Sequence, residues 1–238
     1  MNALPKCIVT DHFMNQTVVK AFAKGIKGEV IDIKEFFDTS NLFVTYGILR
    51  GTGELIKKSN NFYYLDHGYL KSSKRSFSSG STLIEKIDGY FRIVHNDLYH
   101  SGVGKCSSDR FKKLNISLKQ KRNSGEYIIL SEPSKYIKDY FGLHDWVNKT
   151  TKEIKKFTDR KIYIHNKFSK IPLDILLEKA WAFVSDQSTA GLKAMINGIP
   201  AHYTNNTLKK INSIDNIENG KISKQIFFNL AYGQWTLK

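Results

Sequence analysis

Short runs of β-branched and aromatic residues recur along this chain, and most are followed by a segment with helical spacing. "CIVTDH" (7–12) precedes "NQTVVKAFAKG", whose apolar residues fall three and four apart until Gly25. "EVIDI" (29–33) and "NLFVTYG" (41–47) follow, the latter leading through the glycine turn of "RGTGELIKKS" into a short helix; "FYYLDHGY" (62–69) is a fourth run. Strands that alternate with helices lie side by side in parallel, because each crossover returns the chain to the same end of the sheet. The pattern therefore predicts a parallel sheet with crossover helices, and it disfavours all-helical and all-β folds.

The same rhythm restarts in the second half. "EYIILSEP" (126–133) is a strand stopped by Pro133, which has no N–H for a ladder. Residues 134–159 are Lys-rich with helical spacing, and a break is predicted at Gly142. "KIYIHNK" (161–167) is a strand, "PLDILLEKA" (172–180) a short helix, "WAFVS" (181–185) a strand, 188–197 a helix and "IPAHYT" (199–204) a strand. "KISKQIFFNLAYGQWTLK" is predicted to be a terminal helix with an aromatic stripe. A chain of 238 residues holds two such halves. The predicted class is α/β with two Rossmann-like domains, 1–103 and 126–238, joined by a basic linker, 104–125; the terminal helix is a candidate to cross back.

Hydrophobic residues at 41% and charged residues at 25% are ordinary globular composition. No run of eighteen apolar residues exists and "MNALPKCIVTDHF" lacks the layout of a secretory signal, so the expectation is a soluble cytoplasmic protein without stable membrane association. Cys7 and Cys106 stand alone outside any CxxC, and the seven histidines form no HExxH, so no metal site is expected. Thirty-seven basic against twenty-two acidic residues leave a net charge of +15. Such an excess attracts nucleic acid, an anionic membrane surface or a phosphorylated substrate. It also arises in any Lys-, Asn- and Ile-rich chain with no such partner.

The stretch "WAFVSDQSTAGLKAMINGIPAHY" (181–203) joins a strand to a helix through a polar turn. A helix opened this way leaves its first N–H groups unpaired, and a phosphate is a natural occupant of that crevice. Ser188 and Thr189 would donate hydroxyls, with Ala190 and Gly191 leaving the approach open. Plain helix capping by the same residues is the structural alternative.

"VSDQSTAGLKAMINGIPAHY" resembles the C-terminal-domain signature of GT-B-type glycosyltransferases, nearest the capsule-polysaccharide and glycerophosphate-transferase branch. "YGILRGTGELIKK", "FYYLDHGYL", "GYFRIVHNDLYH" and "LAYGQWT" resemble segments of phage-encoded proteins, among them DNA-modifying glycosyltransferases. The resemblance implies an N-terminal acceptor domain and a C-terminal nucleotide-sugar domain facing a cleft. The donor would be a uridine diphosphate sugar, bound through Gln187, Ser188 and Thr189, with no further cofactor and no metal. The glutamate pair spaced by seven residues in retaining transferases is absent, with Lys193 and Ala194 in the later region. The implied acceptor is a hydroxymethylated pyrimidine in double-stranded DNA. The alternatives are an envelope or capsule glycosyl- or glycerophosphotransferase and, from another class, a non-catalytic DNA-binding module.

A transferase of this kind needs a carboxylate or base near the acceptor hydroxyl. Asp66 with His67 in "YLDHGY" is the first candidate and Asp11 the reserve; an Asp-His-Gly turn closing a strand is the structural alternative. Arg50, flanked by Gly51 and Gly53, and Arg92 with His95 are candidates for holding a phosphate or the acceptor. His165 and Lys167, after "KIYI", are candidates for the donor. Lys71, Lys74, Arg75, Lys112 and Lys113 would clamp DNA phosphates, and Phe77, Tyr90 and Tyr99 would stack on an everted base.

Overall fold

Strand β1 (Lys6–Val9) buries Cys7 and Ile8 completely, so both faces of the chain's first strand are covered. The computed structural model describes residues 4–78 and 84–237, with the backbone alone described at 75–78 and 84–86. The chain divides into two units, the first running to His100 and resuming at Leu230, the second spanning Ser101–Asn229.

In the first unit, helix α1 (Phe13–Ile26) sets Met14, Val18, Val19 and Ala23 on one face, and they pack with Cys7, Val9, Val44 and Leu65. Strands β2 (Glu29–Asp32), β3 (Phe43–Tyr46) and, beyond helix α2 (Thr52–Lys57), β4 (Phe62–His67) run parallel to β1. Strands β5 (Lys74–Ser78) and β6 (Ile84–Asp88) then form an antiparallel hairpin. A hairpin is no crossover, so β7 (Phe91–His95) returns antiparallel to β4, against the all-parallel expectation.

The second unit opens with helix α3 (Asp109–Lys112), within the segment predicted to be a linker. Phe111 packs against Phe227 and Phe228, its ring centroid 5.8 and 5.6 Å from theirs. Strand β8 (Tyr127–Ser131) leads to α4 (Lys135–Phe141), which ends at Gly142 in the left-handed conformation (φ 67°), where the break was predicted. Then come α5 (Trp146–Ile154), β9 (Lys161–His165), α6 (Leu173–Leu177), β10 (Ala180–Ser185), α7 (Ala190–Ile196), β11 (Ala201–Tyr203) and α8 (Lys224–Tyr232). The boundary between the units falls inside α8. The last strand, β12 (Gln234–Trp235), pairs with β7 in the first unit's sheet.

The two sheets have the orders β12-β7-β4-β3-β1-β2 and β11-β10-β8-β9. In the second, every pairing is parallel. Ile128, Leu130, Ala182 and Val184 pack beneath Trp146 and Ile154 on one face. Ile129 and Phe183 alternate to the other, where α7 packs on β10 and β11. Both units share one topological feature. The chain leaves β1 toward β2 and then crosses to β3 on the opposite side; it leaves β8 toward β9 and then crosses to β10. Each sheet therefore has a switch point at its carboxyl edge, between β1 and β3 and between β8 and β10, where open α/β sheets leave a crevice for ligands.

Candidate functional site

The first switch point is held by a residue that sequence reasoning missed. Asn15, 2% exposed, accepts from the Thr10 N–H (2.8 Å) and donates to the Tyr46 carbonyl (3.3 Å), tying the ends of β1 and β3 together. Its one sequence signal was a polar side chain on the apolar stripe of a predicted helix. Above it, Arg50 reaches across the crevice to Asp11, with Nη1 to Oδ1 at 3.1 Å. Their side chains are 51% and 79% exposed, so this pair can exchange its partner for a ligand at little cost. Arg50 itself has φ 62°, and Gly51 (φ 90°) caps α2. Thr52, fully buried, closes the loop by donating to the carbonyls of Gly47 and Leu49. Gly53 is buried within α2, so it offers no surface to a phosphate.

Asp66 occupies the carboxyl end of β4, as predicted, but its oxygens are taken. Oδ2 accepts from Arg92 Nη2 (2.8 Å) and from the Tyr64 hydroxyl (2.7 Å), while Oδ1 accepts from the His67 N–H (2.7 Å). Arg92 is 4% exposed, with its guanidinium 4.8 Å from the Tyr99 ring centroid and within 5.5 Å of those of Tyr64 and Tyr69. Burial opposes the Arg92 charge, yet Asp66 and the three tyrosines outweigh it and hold it a cation. Burial also keeps Tyr64 firmly protonated, with Asp66 adding to the effect. Arg92 is thus the partner of Asp66 rather than an open phosphate ligand. Tyr99 belongs to its cage instead of standing free to stack on a base.

His67 is exposed, its Nδ1 2.6 Å from the buried Ser73 hydroxyl. His95 lies at the other end of the sheet, opposite Tyr63, because β7 runs antiparallel. Arg92 and His95 therefore do not share a site.

At the second switch point, the register sets His165, Ser131, Ser185 and Tyr203 in one row across the four strands. Adjacent strands lie about 4.8 Å apart, so His165 and the 185–189 turn stand two strands from each other, roughly 10 Å. The turn departs from expectation. The Ser188 N–H donates to Ser185 Oγ and the Ala190 N–H to Ser188 Oγ, both at 3.2 Å. The N–H groups of Gly191 and Leu192 donate to the carbonyls of Ser188 and Thr189. These four donors are satisfied within the turn, and helix capping accounts for that part of the motif. Gly191 does not leave the approach open either. A Cβ there would lie 2.3 Å from the buried Tyr203 hydroxyl, so the glycine lets α7 pack on β11.

What remains for a ligand is the half-buried Ser188 and exposed Thr189, beside two residues whose polar groups are buried. Asp186, 6% exposed, lies above the usual carboxylate range through burial, with the Thr204 hydrogen bond (2.6 Å) pulling the other way. Trp146 Nε1 donates in turn to Thr204 Oγ1 (2.8 Å). Gln187, 7% exposed, has neither its amide nitrogen nor its carbonyl oxygen hydrogen-bonded among the described residues. Such a buried orphan is rare in folded chains.

Lys167 is exposed beyond the end of β9. Among the proposed DNA contacts, Lys71, Lys74, Lys112 and Lys113 are exposed, whereas the Arg75 and Phe77 side chains lie outside the described residues. Arg122, in the segment predicted to be a basic linker, donates to the carbonyls of Leu177 (2.8 Å) and Ala180 (2.7 Å). Cys7 is buried, which pushes its thiol up to about 11. Among the described residues no group of three or more His, Cys, Asp or Glu is placed to hold a metal. No described helix is long and apolar enough to cross a membrane.

These features define the class of fold: two α/β units, each with a Rossmann-like parallel core and a switch-point crevice. No protein-family model matches the sequence, and no curated protein matches it. Among solved structures, the chain is similar to the Thermosulfurimonas dismutans KpsC beta Kdo 2,4 transferase. The match covers 98% of this chain and 92% of that one at 9% identity, with a TM-score of 0.51. The KpsC beta Kdo 2,7 transferase of the same organism is 14% identical over 97% and 91% of the two chains, with a TM-score of 0.48. The likeness at 0.51 is one of fold.

Proposed function

We propose that the protein is a GT-B-like glycosyltransferase that moves a sugar from a nucleotide-sugar donor to a saccharide acceptor of the envelope or capsule. The observation that carries this reading is the row of polar residues at the second switch point. There Ser185, which opens the turn to Thr189, pairs with Ser131 at the carboxyl ends of β10 and β8, in a chain similar in fold to a Kdo transferase along nearly its whole length. In this reading the second unit binds the donor, a uridine diphosphate sugar, through Gln187, Ser188, Thr189, His165 and Lys167. Cationic side chains, not a metal, offset the charge of the departing phosphate. The first unit binds the acceptor at its own switch point. Asp11 is favoured as base over Asp66, since Asp11 is exposed and, among the described residues, engaged only by Arg50, whereas Asp66 is committed to Arg92 and Tyr64. His67 is exposed beside them and serves as the reserve.

The net charge of +15 and exposed Lys71, Lys74, Lys112 and Lys113 favour a second reading, with hydroxymethylpyrimidine DNA as acceptor. One assay separates the two. The protein is incubated with a panel of nucleotide sugars and either oligosaccharide acceptors or hydroxymethylated duplex DNA, and the products are weighed by mass spectrometry. Transfer to saccharide, abolished by Asp11→Asn without a change in melting temperature, is the expected result. Transfer to DNA alone would replace the first reading with the second, and transfer to neither would end both.

A further inference from the structure

Beyond the carboxyl ends of β8 and β9 lies a half-open pocket of about 650 Å³, lined by Glu132, Tyr136, Lys138, Asn166, Lys167 and Phe168 among others. This is the size range of small-ligand sites, which run roughly 300–1,000 Å³. Its construction starts with the Glu132 N–H, which donates to the His165 carbonyl (2.9 Å) before Pro133 ends the strand. The Glu132 carboxylate is then fixed on both sides, by Lys138 Nζ and by Asn166 Nδ2 (3.2 Å). Chiefly through Lys138, its pKa is held below the usual range, so the carboxylate stays ionised. Asn166 Oδ1 also accepts from the Phe168 N–H (2.9 Å), and Ser169 Oγ accepts from the Asn166 N–H (2.9 Å). This tight turn presents Lys167 and Phe168 outward.

Three features of the lining point to one ligand chemistry. Phe168 is 89% exposed and Tyr136 65% exposed, and neither ring packs on another aromatic among the described residues. They are flat apolar faces, on which a planar group gains by stacking. Glu132 is a fixed acceptor for hydroxyl or amino donors. Lys167 makes no ion pair among the described residues, whereas Lys135 is committed to Asp139 (2.7 Å) and Lys138 to Glu132. A plain anion has no use for the rings, and a neutral sugar none for the free ammonium. A nucleoside phosphate uses all three.

We propose that this pocket holds the nucleoside end of the donor, its base against Phe168 and Tyr136, its ribose hydroxyls on Glu132 and its phosphate toward Lys167. The assignment rests on the donor reading above and gives that site its base- and ribose-binding half. The test is calorimetric titration of the full chain with UMP, CMP, GMP, AMP, uridine diphosphate and inorganic phosphate, alongside Phe168→Ala, Tyr136→Ala, Glu132→Gln and Phe168→Trp. Both aromatic side chains are exposed, so their variants should melt with the parent, and each is checked for that. At least one nucleotide is expected to bind. Phe168→Ala or Tyr136→Ala should weaken it about tenfold or more, Phe168→Trp should restore it, and any binding of inorganic phosphate should be unmoved by Phe168→Ala. Nucleotide binding indifferent to all four variants would overturn the pocket and leave the donor reading standing. Failure of every nucleotide to bind would overturn both.

Discussion

The carboxyl end of the first sheet gathers Asp11, Arg50, Asp66 and Arg92, whereas the corresponding end of the second gathers Ser131, Ser185, Ser188, Thr189 and Thr204 near the carboxylates of Asp186 and Glu132. Within the first unit the two ion pairs differ sharply in burial. Asp66–Arg92 has side chains 24% and 5% exposed, while Asp11–Arg50 is open to water. A charge withdrawn from water must keep its partner, so the buried pair is a strut; a pair in water is replaceable, so the exposed one is available to a ligand. The second unit reaches a polar crevice by another route. Hydroxyls are cheaper to desolvate than charges, and its buried turn satisfies its own N–H groups before any ligand arrives.

The largest effect that would sharpen this contrast is at the strut. Arg92→Met leaves Asp66 and the Tyr64 hydroxyl without their cation, and a loss of about 3–5 kcal/mol is expected in urea unfolding. A loss below about 1 kcal/mol would erase the distinction between the two pairs. Next is the tight packing in the second unit. Gly191→Ala drives a methyl into the Tyr203 hydroxyl and should cost about 1–3 kcal/mol, part of it regained in the double variant with Tyr203→Phe. No regain would mean the helix shifts away from β11 by another route.

Third comes pH, to which each unit contributes a histidine withdrawn from water, half-buried in the first and buried in the second. Burial lowers the pKa of His202 in the second unit and, with Arg92 nearby, of His100 in the first, both from an ordinary value of 6.5. The unfolded chain takes up these protons near 6.5 and the folded chain does not. Stability should therefore be full above that value and fall as pH drops toward the folded pKa values, by at most about 1.4 kcal/mol per pH unit for each site. Urea midpoints between pH 7.5 and 5.5 measure the slope, and His202→Gln should flatten it; an unchanged slope would remove His202 from the account. The smallest effect is expected at the exposed pair, where Asp11→Ala or Arg50→Ala should change stability by less than about 1 kcal/mol. A larger loss would make this pair a second strut and withdraw Asp11 from the candidates for catalysis.

Much of the architecture was legible because period is local. The runs at 7–12, 41–47, 62–69, 126–133 and 181–185 each became a strand, and the break at Gly142 needed only the one residue that enters the left-handed region freely. The hairpin at β5–β6 escaped because a Ser-rich stretch carries no apolar alternation, and its consequence, the reversal of β7, carried His95 to the wrong end of the sheet. Of the candidate residues, Asp11, Arg50, His165, Ser188 and Thr189 were found at the carboxyl ends as read. Asn15, Tyr64, Asp186 and Thr204 were missed, since each matters through a partner far along the chain or on another strand.

By itself, then, the sequence determined the order and type of most elements, the two-fold α/β rhythm and the excess of positive charge, because hydrophobic period and turn chemistry act between near neighbours. Only the tertiary structure decided that Asp66 is spent on Arg92, that Gly191 serves Tyr203 and that two exposed rings share a pocket with a fixed carboxylate. Those outcomes depend on which distant side chains burial brings within a hydrogen bond's length, and no local pattern encodes that distance.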